Sequence, residues 1–293
     1  MGRIRTSPAE AVFNVVNILF LTSIGFLTLF PFLNAIAISL SDPMAVLQGK
    51  VGLLPVQLTT YNYKMVFENK ALPAAAYISV MRTLLGIIYH VSITGIASYA
   101  LSFKELPFNK SITIFFMVPM YIGAGLIPTY VNMYELGLVN NFWVYILPHA
   151  FGAYVMFIMR TYFSGIPREL NESAMLDGAS ELTIFLRIIL PLSLPIIAVV
   201  ALYQGVWQWN SWFDAMMYVN KVKLHPLAML LQRIIRESEA TEAMMVGISG
   251  STQVSPQSIR MTMLIVTTLP IVFIYPFFQR YFVKGVMIGA VKG

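Results

Sequence analysis

One uninterrupted apolar block, from Ala74 to Phe103, reads AAAYISVMRTLLGIIYHVSITGIASYALSF. Its single charged side chain is that of Arg82. A helix rises about 1.5 Å per residue, so roughly 20 apolar residues cross the hydrocarbon core of a bilayer. The block exceeds this length and predicts a transmembrane helix.

Five further blocks of spanning length occur at about residues 12–40, 112–133, 142–162, 188–212 and 261–283. Several contain proline or glycine, which membrane bundles tolerate because neighbouring helices satisfy the freed backbone groups. The blocks are continuous rather than alternating, which disfavours a β-barrel. We therefore predict an all-α membrane protein, with six transmembrane helices in a single domain over residues 1–293.

Composition supports a membrane protein and excludes several other classes. Charged residues are 11% of the 293 residues, against roughly 25% in soluble domains. The hydrophobic fraction of 58% excludes disorder. The net charge of +6 does not indicate nucleic-acid binding, because the basic residues are scattered between apolar blocks.

Catalytic motifs are absent from the sequence. There is no cysteine, which excludes thiol catalysis, and the three histidines are far apart, which argues against a metal site. No G-x-x-x-x-G-K-[ST] phosphate loop, nucleophile elbow or paired-carboxylate site occurs. We expect no catalytic residue, metal or cofactor in this chain.

Charge placement gives an expected orientation. With six spans, both termini share one side of the membrane, and that side carries the denser basic residues near the span ends. The positive-inside rule places this side in the cytoplasm. The expected loops are then an inner loop at residues 163–190 and outer loops at 41–72 and 213–260.

The inner loop is the most informative part of the chain and reads GIPRELNESAMLDGASELTIFLRIILP from Gly165 to Pro191. Pro167 suits a first helical turn, Gly178 a helix stop, and Ser180 the N-cap of a second helix. We predict a short helix, a tight turn and another helix that continues into the fifth span. From the residues alone, the short helix fits equally a docking element for another protein or an anchor at the membrane surface.

This loop resembles the EAA loop of binding-protein-dependent ABC importer permeases. The family pattern is EAA, three residues, Gly, nine residues and Ile-x-Leu-Pro; the chain matches it with Glu172, Ser173, Ala174, Gly178, Ile188, Leu190 and Pro191. Ser173 replaces the usual alanine. The resemblance implies a type I ABC importer permease fold, in which Glu172 to Ala179, with Asp177, dock on a separate ATPase subunit.

The resemblance covers nearly the whole chain and points to the carbohydrate-uptake branch, on the side of the maltose-type smaller permease. It rests on Gly125–Tyr130, Leu136–Leu138, Trp209–Asn210 and the tail Gln279–Gly293. It implies oligosaccharide import across the bacterial cytoplasmic membrane by ATP-driven alternating access. It also implies a homologous partner permease, two ATPase subunits that hold ATP and Mg, and an external solute-binding protein. In such a complex the tail residues near the ATPase would be Lys284, Gly285, Gly289 and Lys292.

Candidate substrate contacts are polar groups beside aromatic rings in the fifth span. Gln204, Gln208 and Ser211 share one helical stripe. Trp207 and Trp212 flank it, and they equally fit an interfacial aromatic belt. Arg82 is a functional candidate or a residue that snorkels to the interface. Its Arg-Thr context resembles the subgroup for acidic oligosaccharides such as aldouronate or alginate, and a neutral oligosaccharide is the alternative.

A polar stretch in the second outer loop corresponds to the loop that enters the binding protein in this family. Its candidate residues are Gly247, Ser249, Gly250, Ser251 and Gln253. A plain linker is the alternative. Two other functions also stay open: an ion-coupled secondary transporter, which requires intramembrane carboxylates that the predicted spans lack, and a non-transporting scaffold.

Overall fold

A computed structural model describes residues 8–245 and 255–290, except for the side chains of residues 11, 241–245, 278 and 280–290. Within these ranges every regular element is helical. The α-helices are α1 (Pro8–Ser39), α2 (Pro43–Leu47), α3 (Tyr61–Phe67), α4 (Leu72–Ser102), α5 (Asn109–Tyr121), α6 (Leu126–Glu135), α7 (Ala153–Ser164), α8 (Glu169–Leu176), α9 (Glu181–Ile184), α10 (Leu190–Leu192), α11 (Leu194–Asn210), α12 (Phe213–Tyr218), α13 (Leu227–Met245) and α14 (Pro256–Ala290).

Three single helices are long and apolar enough to cross a membrane: α1, α4 and residues Pro256–Phe277 of α14. Three bent helix pairs pass the same test together, and counting each pair as one span gives six. The bends are 116° between α5 and α6, 48° between Phe142–His149 and α7, and 83° between Glu181–Leu192 and α11.

The third predicted span, residues 112–133, is therefore not one straight helix. Helix α5 ends at Tyr121 and α6 begins at Leu126. Between them lies Gly125 with φ of +80°, a backbone conformation that side chains disfavour. Pro119 also removes a backbone donor from the last turn of α5. The proline and glycine residues of this span therefore accompany a complete interruption of the helix.

The predicted outer loops contain ordered helices. The loop at 41–72 carries α2 and α3, and the loop at 213–260 carries α12, the whole of α13 and the start of α14. The fourth predicted span begins with two 3-10 turns, Phe142–Tyr145 and Leu147–His149, before α7. Short amphipathic or polar helices lack the long apolar runs that mark a span, so hydropathy alone leaves them out.

Residues 1–69 and 233–268 form one compact unit. In the loop between α1 and α4 the buried Asn62 side chain donates to the carbonyl oxygens of Ser39 and Ser41, at 3.0 and 2.9 Å. The Val56 N–H donates to the Ser41 hydroxyl at 2.9 Å. Since buried backbone groups need partners, this side chain orders the loop around the end of α1.

Residues 70–232 and 269–293 form the second unit. Two apolar clusters lie along α4 in this unit. One surrounds Tyr145 and Ile146, and the other surrounds Met159, Ile184 and Phe185. The first cluster borders a buried ionic network near the start of α4, and the second supports the inner loop near its end.

Candidate coupling surface and translocation path

The inner loop has the predicted helix-turn-helix form. Helix α8 runs from Glu169 to Leu176, and the chain turns at Gly178, which has φ of +81°. The Ser180 hydroxyl then caps α9 by accepting from the Thr183 N–H at 3.4 Å. A π-helical turn over Phe185–Ile189 continues α9 toward the fifth span. The helix stop and N-cap predicted from the sequence are confirmed.

The inner face of this segment is fixed to α4 through Tyr99. The Tyr99 hydroxyl accepts from the Asn171 amide of α8 at 3.0 Å and donates to Glu181 of α9 at 3.1 Å. Tyr99 and Asn171 are both buried, and the Tyr99 ring contacts Phe185 with centroids 5.0 Å apart. One tyrosine thus ties both short helices to a candidate transmembrane helix.

The outer face of α8 is open. Glu172, Ser173 and Asp177 are exposed, and Leu176 is 90% exposed. An added side chain at Gly178 would meet nothing within 4 Å among the residues that the structure describes. This exposed face of α8 and the turn beside it form the candidate docking surface.

The remaining residues of the EAA pattern have another role. Ala174, Ala179, Ile188 and Leu190 pack against the cluster around Phe185. Pro191 is exposed, next to the 83° bend before α11. The small alanines therefore allow close packing of α8 on its own chain, while their exposed neighbours form the candidate docking surface.

A surface ion pair braces the start of the segment. Arg168 lies 2.7 Å from Glu105, which follows α4. The hydrogen bond from Arg168 lowers the pKa of the Glu105 carboxyl below its ordinary value. Both side chains are largely exposed, so the pair orients the loop without adding much stability.

Arg82 has a different environment from the one expected. Its side chain has no exposed surface and forms an ion pair of 2.5 Å with Asp214. The same guanidinium donates to Gln208 at 3.0 Å and to the Ser211 carbonyl at 2.9 Å. Its carbon Cζ lies 4.3 Å from the centre of the Tyr145 ring. Arg82 therefore neither snorkels outward nor presents a free positive charge.

Gln208 completes this buried network. Asp214 and Tyr145 also belong to it, although neither was predicted from the sequence. Gln208 is fully buried, and its amide donates to the Tyr145 carbonyl oxygen at 2.9 Å. The Ser211 hydroxyl donates to Asp214 at 3.2 Å. The predicted stripe of polar residues is therefore not one continuous surface. Gln208 connects α11 to α4 and to the turn at Tyr145, and it does not face a translocation path.

A cleft of about 650 Å³ lies between α4, α5, α7 and α11. We call it the His90 cleft; the residues that matter here are His90, His149, Gly152, Tyr203, Gln204 and Trp207. The rings of His149 and Trp207 are 4.3 Å apart. Gln204 and Trp207, predicted as substrate contacts, line this cleft together.

A second cleft, of about 680 Å³, lies on the other side of Tyr203 and Trp207. Its wall includes Ser211 and Trp212, the other two predicted contacts. The structure therefore distributes the predicted substrate contacts over two clefts and one buried network. The predicted contacts did not include Tyr203, His90 or His149, which also line the His90 cleft. A histidine inside an apolar block is a signal that could have indicated a polar group facing a cavity.

The other predicted positions lie partly or wholly outside the described residues. Lys284, Gly285 and Gly289 belong to α14, but their surroundings are not described, and Lys292 lies beyond it. The outer-loop residues Gly247, Ser249, Gly250, Ser251 and Gln253 also lie outside. Over residues 8–245 and 255–290, no group of histidine, aspartate and glutamate side chains is arranged to hold a metal ion.

Bent apolar helices, an exposed helix-turn-helix before the fifth span and clefts beside a candidate transmembrane helix are typical of a membrane transport subunit. The family described as "Binding-protein-dependent transport system inner membrane component" matches residues 107–288. The chain belongs to this family and is a non-catalytic permease subunit of an ABC importer. Membership excludes the ion-coupled secondary transporter, because ABC importers are driven by ATP hydrolysis on a separate subunit.

Two curated relatives and one solved structure cover nearly the full length of the chain. Protein LplC of Bacillus subtilis (strain 168) is 36% identical over 98% of this chain and 97% of its own length. The polygalacturonan/rhamnogalacturonan transport system permease protein YtcP of the same strain is 32% identical over 94% and 96%. A chain from a bacterial ABC transporter involved in the import of the acidic polysaccharide alginate superposes with a TM-score of 0.87. It is 26% identical, and the match covers 96% of this chain and 100% of that one.

Proposed function

We propose that this chain is one of two permease subunits of an ATP-driven oligosaccharide importer in the bacterial cytoplasmic membrane. It crosses the membrane six times with both termini in the cytoplasm. Its partners are a homologous permease, two ATPase subunits that bind ATP and Mg, and an external solute-binding protein. Alternating access moves the sugar between the two permeases into the cytoplasm.

The observation that carries this proposal is the open outer face of α8. Exposed Glu172, Asp177 and Leu176 surround the unobstructed turn at Gly178. The inner face of the same helix is bonded to α4 through Tyr99 and Asn171. A force applied to the outer face by ATPase closure therefore reaches a transmembrane helix through direct contacts.

The substrate that we propose is an oligosaccharide fragment of an acidic polysaccharide. Support comes from the relatives, one of which transports polygalacturonan or rhamnogalacturonan and another alginate, as their names state. Arg82 does not support it, because Asp214 neutralises its charge inside the protein. A neutral oligosaccharide is the second candidate, since the His90 cleft offers amide, imidazole and aromatic groups rather than a free cation.

The test uses the complete importer reconstituted in proteoliposomes, with variants at the α8 turn. Gly178→Val should abolish sugar-stimulated ATP hydrolysis, because φ of +81° is strained for valine and its side chain would obstruct docking. Gly178→Asn separates the two effects, since asparagine tolerates positive φ but still adds bulk. Glu172→Lys should also uncouple hydrolysis from transport.

The matched control for the charge reversal is Glu68→Lys, on an exposed residue that follows α3 in the first outer loop. It should leave coupling unchanged. Full sugar-stimulated hydrolysis and uptake in both Gly178 variants would show that the α8 turn does not dock an ATPase. A panel of trigalacturonate, alginate trisaccharide and arabinotriose identifies the imported class by competition.

A further inference from the structure

Two buried polar atoms beside the His90 cleft have no hydrogen-bond partner. They are Nε2 of His90 and Nε2 of Gln204. Both side chains are only 5% exposed, and both line the same cleft from different helices, α4 and α11. An unpartnered buried polar group costs about 1–3 kcal/mol, so two of them on one cavity wall call for an explanation.

The hydrogen-bonding role of His90 is set by its other ring nitrogen. Nδ1 lies 2.8 Å from the carbonyl oxygen of His149. A carbonyl oxygen can only accept, so Nδ1 carries the proton. In the neutral ring Nε2 is then an acceptor with a free lone pair. This contact also holds the ring in one orientation against the cleft wall.

The Gln204 atom has the opposite role. An amide nitrogen can only donate, and rotation about the side-chain bonds turns it toward the cleft without backbone movement. The wall therefore provides one acceptor and one donor. A hydroxyl group satisfies both at once, because it donates to His90 and accepts from Gln204. A carboxylate has no proton for His90, and an ammonium has no lone pair for Gln204.

Gly152, at the start of α7, lies directly against the ring of His90 at the edge of this cleft. A Cβ atom on Gly152 would lie 2.7 Å from Cε1 and 3.3 Å from Nε2 of His90. The His90 ring therefore keeps this position beside the cleft only because residue 152 has no side chain. Tyr203 and Trp207, which are 62% and 36% exposed, add aromatic surface to the same cleft. Flat aromatic faces pack against the apolar face of a pyranose or furanose ring.

We propose that the His90 cleft is a sugar subsite of this subunit, in which one hydroxyl is bound between Nε2 of His90 and the amide of Gln204. The inference rests on the proposed function as an oligosaccharide importer and adds a position where this permease itself contacts the sugar. It makes the subsite selective for a hydroxyl rather than for the acid group of the substrate.

A pair of His90 variants separates binding from structure. In His90→Asn the amide nitrogen replaces Nδ1 and keeps the bond to the His149 carbonyl, but the acceptor at Nε2 is lost. In His90→Gln the amide oxygen replaces the Nε2 acceptor, and the bond to His149 is lost. Gln204→Met removes the donor at similar volume. Ser193→Ala is the control, since Ser193 also has an unpartnered buried atom but does not line the cleft.

The measurement is the sugar-dependent rise in the unfolding midpoint of the purified importer without its binding protein, titrated with arabinotriose and with trigalacturonate. His90→Asn and Gln204→Met should raise the half-maximal sugar concentration about tenfold for both sugars, as expected for one lost hydrogen bond. His90→Gln should recover most of the affinity but unfold at a lower temperature in the absence of sugar. Ser193→Ala should match the wild type.

Three results would overturn the subsite. Equal titrations of wild type, His90→Asn and Gln204→Met would mean that the two atoms hold only water. A loss for trigalacturonate alone would mean that the cleft binds the acid group. An equal loss in His90→Gln and His90→Asn would assign the effect to structure. A wild-type complex that imports none of the three sugars would instead refute the proposed function.

Discussion

Replacing Arg82 with methionine is the sharpest test of how much the buried ionic network near the start of α4 stabilises the protein. Methionine keeps an apolar stem of similar length but removes the whole guanidinium. Asp214, with 7% of its side chain exposed, is then left as a buried charge without its ion-pair partner. Gln208 and the Ser211 carbonyl each lose a donor as well.

The expected cost follows from these contacts. Removing one partner of a buried ion pair costs roughly 3–5 kcal/mol, and each acceptor left unsatisfied adds about 1 kcal/mol or more. Asp214 keeps two donors, the Ser211 hydroxyl at 3.2 Å and the Ala215 N–H at 2.9 Å, which reduce its penalty. We therefore expect a loss of about 4 kcal/mol, or about 10 °C in the unfolding midpoint.

The double variant Arg82→Met/Asp214→Leu provides the second arm. It removes both charges, so about half of the lost stability should return, because an apolar replacement of a buried ion pair is often nearly neutral. The readout is thermal unfolding of the assembled complex in lipid nanodiscs, completed as a double-mutant cycle with Asp214→Leu alone.

The matched control is Arg233→Met, which breaks an exposed pair with Glu237 of similar length, 2.7 Å. Exposed pairs contribute less than about 1 kcal/mol, so this variant should unfold close to the wild type. Our reasoning is refuted if Arg82→Met lowers the midpoint no more than Arg233→Met does. It is equally refuted if the double variant is less stable than Arg82→Met.

The other predictions concern the contacts of the coupling segment and the cleft. Tyr99→Phe keeps the ring packing but loses both hydrogen bonds of the hydroxyl, so it should raise the number of ATP molecules hydrolysed per sugar transported, while complex assembly measured by size exclusion stays normal. Leu176→Glu should weaken ATPase association about tenfold in a pull-down with purified ATPase, since it places a charge in an apolar contact. Gly152→Ala should displace the His90 ring, because its Cβ would lie 2.7 Å from Cε1; it should lower sugar affinity to the extent that His90→Asn does.

The helical type of the candidate spans follows from the sequence because a bilayer imposes a strong rule. Apolar runs must form helices, and such runs occur where α1, α4 and α14 lie. The positions of helix breaks are harder to predict, because a proline can lie within a continuous helix or close to the end of one. Pro31 lies within α1, whereas Pro119 comes just before the break at residues 122–125. Only the packing of neighbouring segments decides between these outcomes.

The coupling segment was predictable for a different reason. Its helix stop and N-cap are local signals, carried by Gly178 and Ser180, and the fold does not override them. Pro167, predicted in the first helical turn, instead precedes Arg168, the N-cap of α8. What the local pattern did not contain is the partner of its inner face. Tyr99 lies 72 residues before Asn171 in the chain, and no periodicity relates the two.

For Arg82, charge balance predicts more about the surroundings of the side chain than any sequence motif does. A spacing of 132 residues hides its pairing with Asp214 from any local motif. Charge balance alone nevertheless restricts the choice, because an arginine inside an apolar block must find a carboxylate or reach water. Asp214 is the first acidic residue after the fifth apolar block. The requirement of a counter-ion therefore predicts a carboxylate partner for Arg82, and the structure identifies this partner as Asp214. An Arg82 paired in this way has no free charge with which to bind a sugar acid.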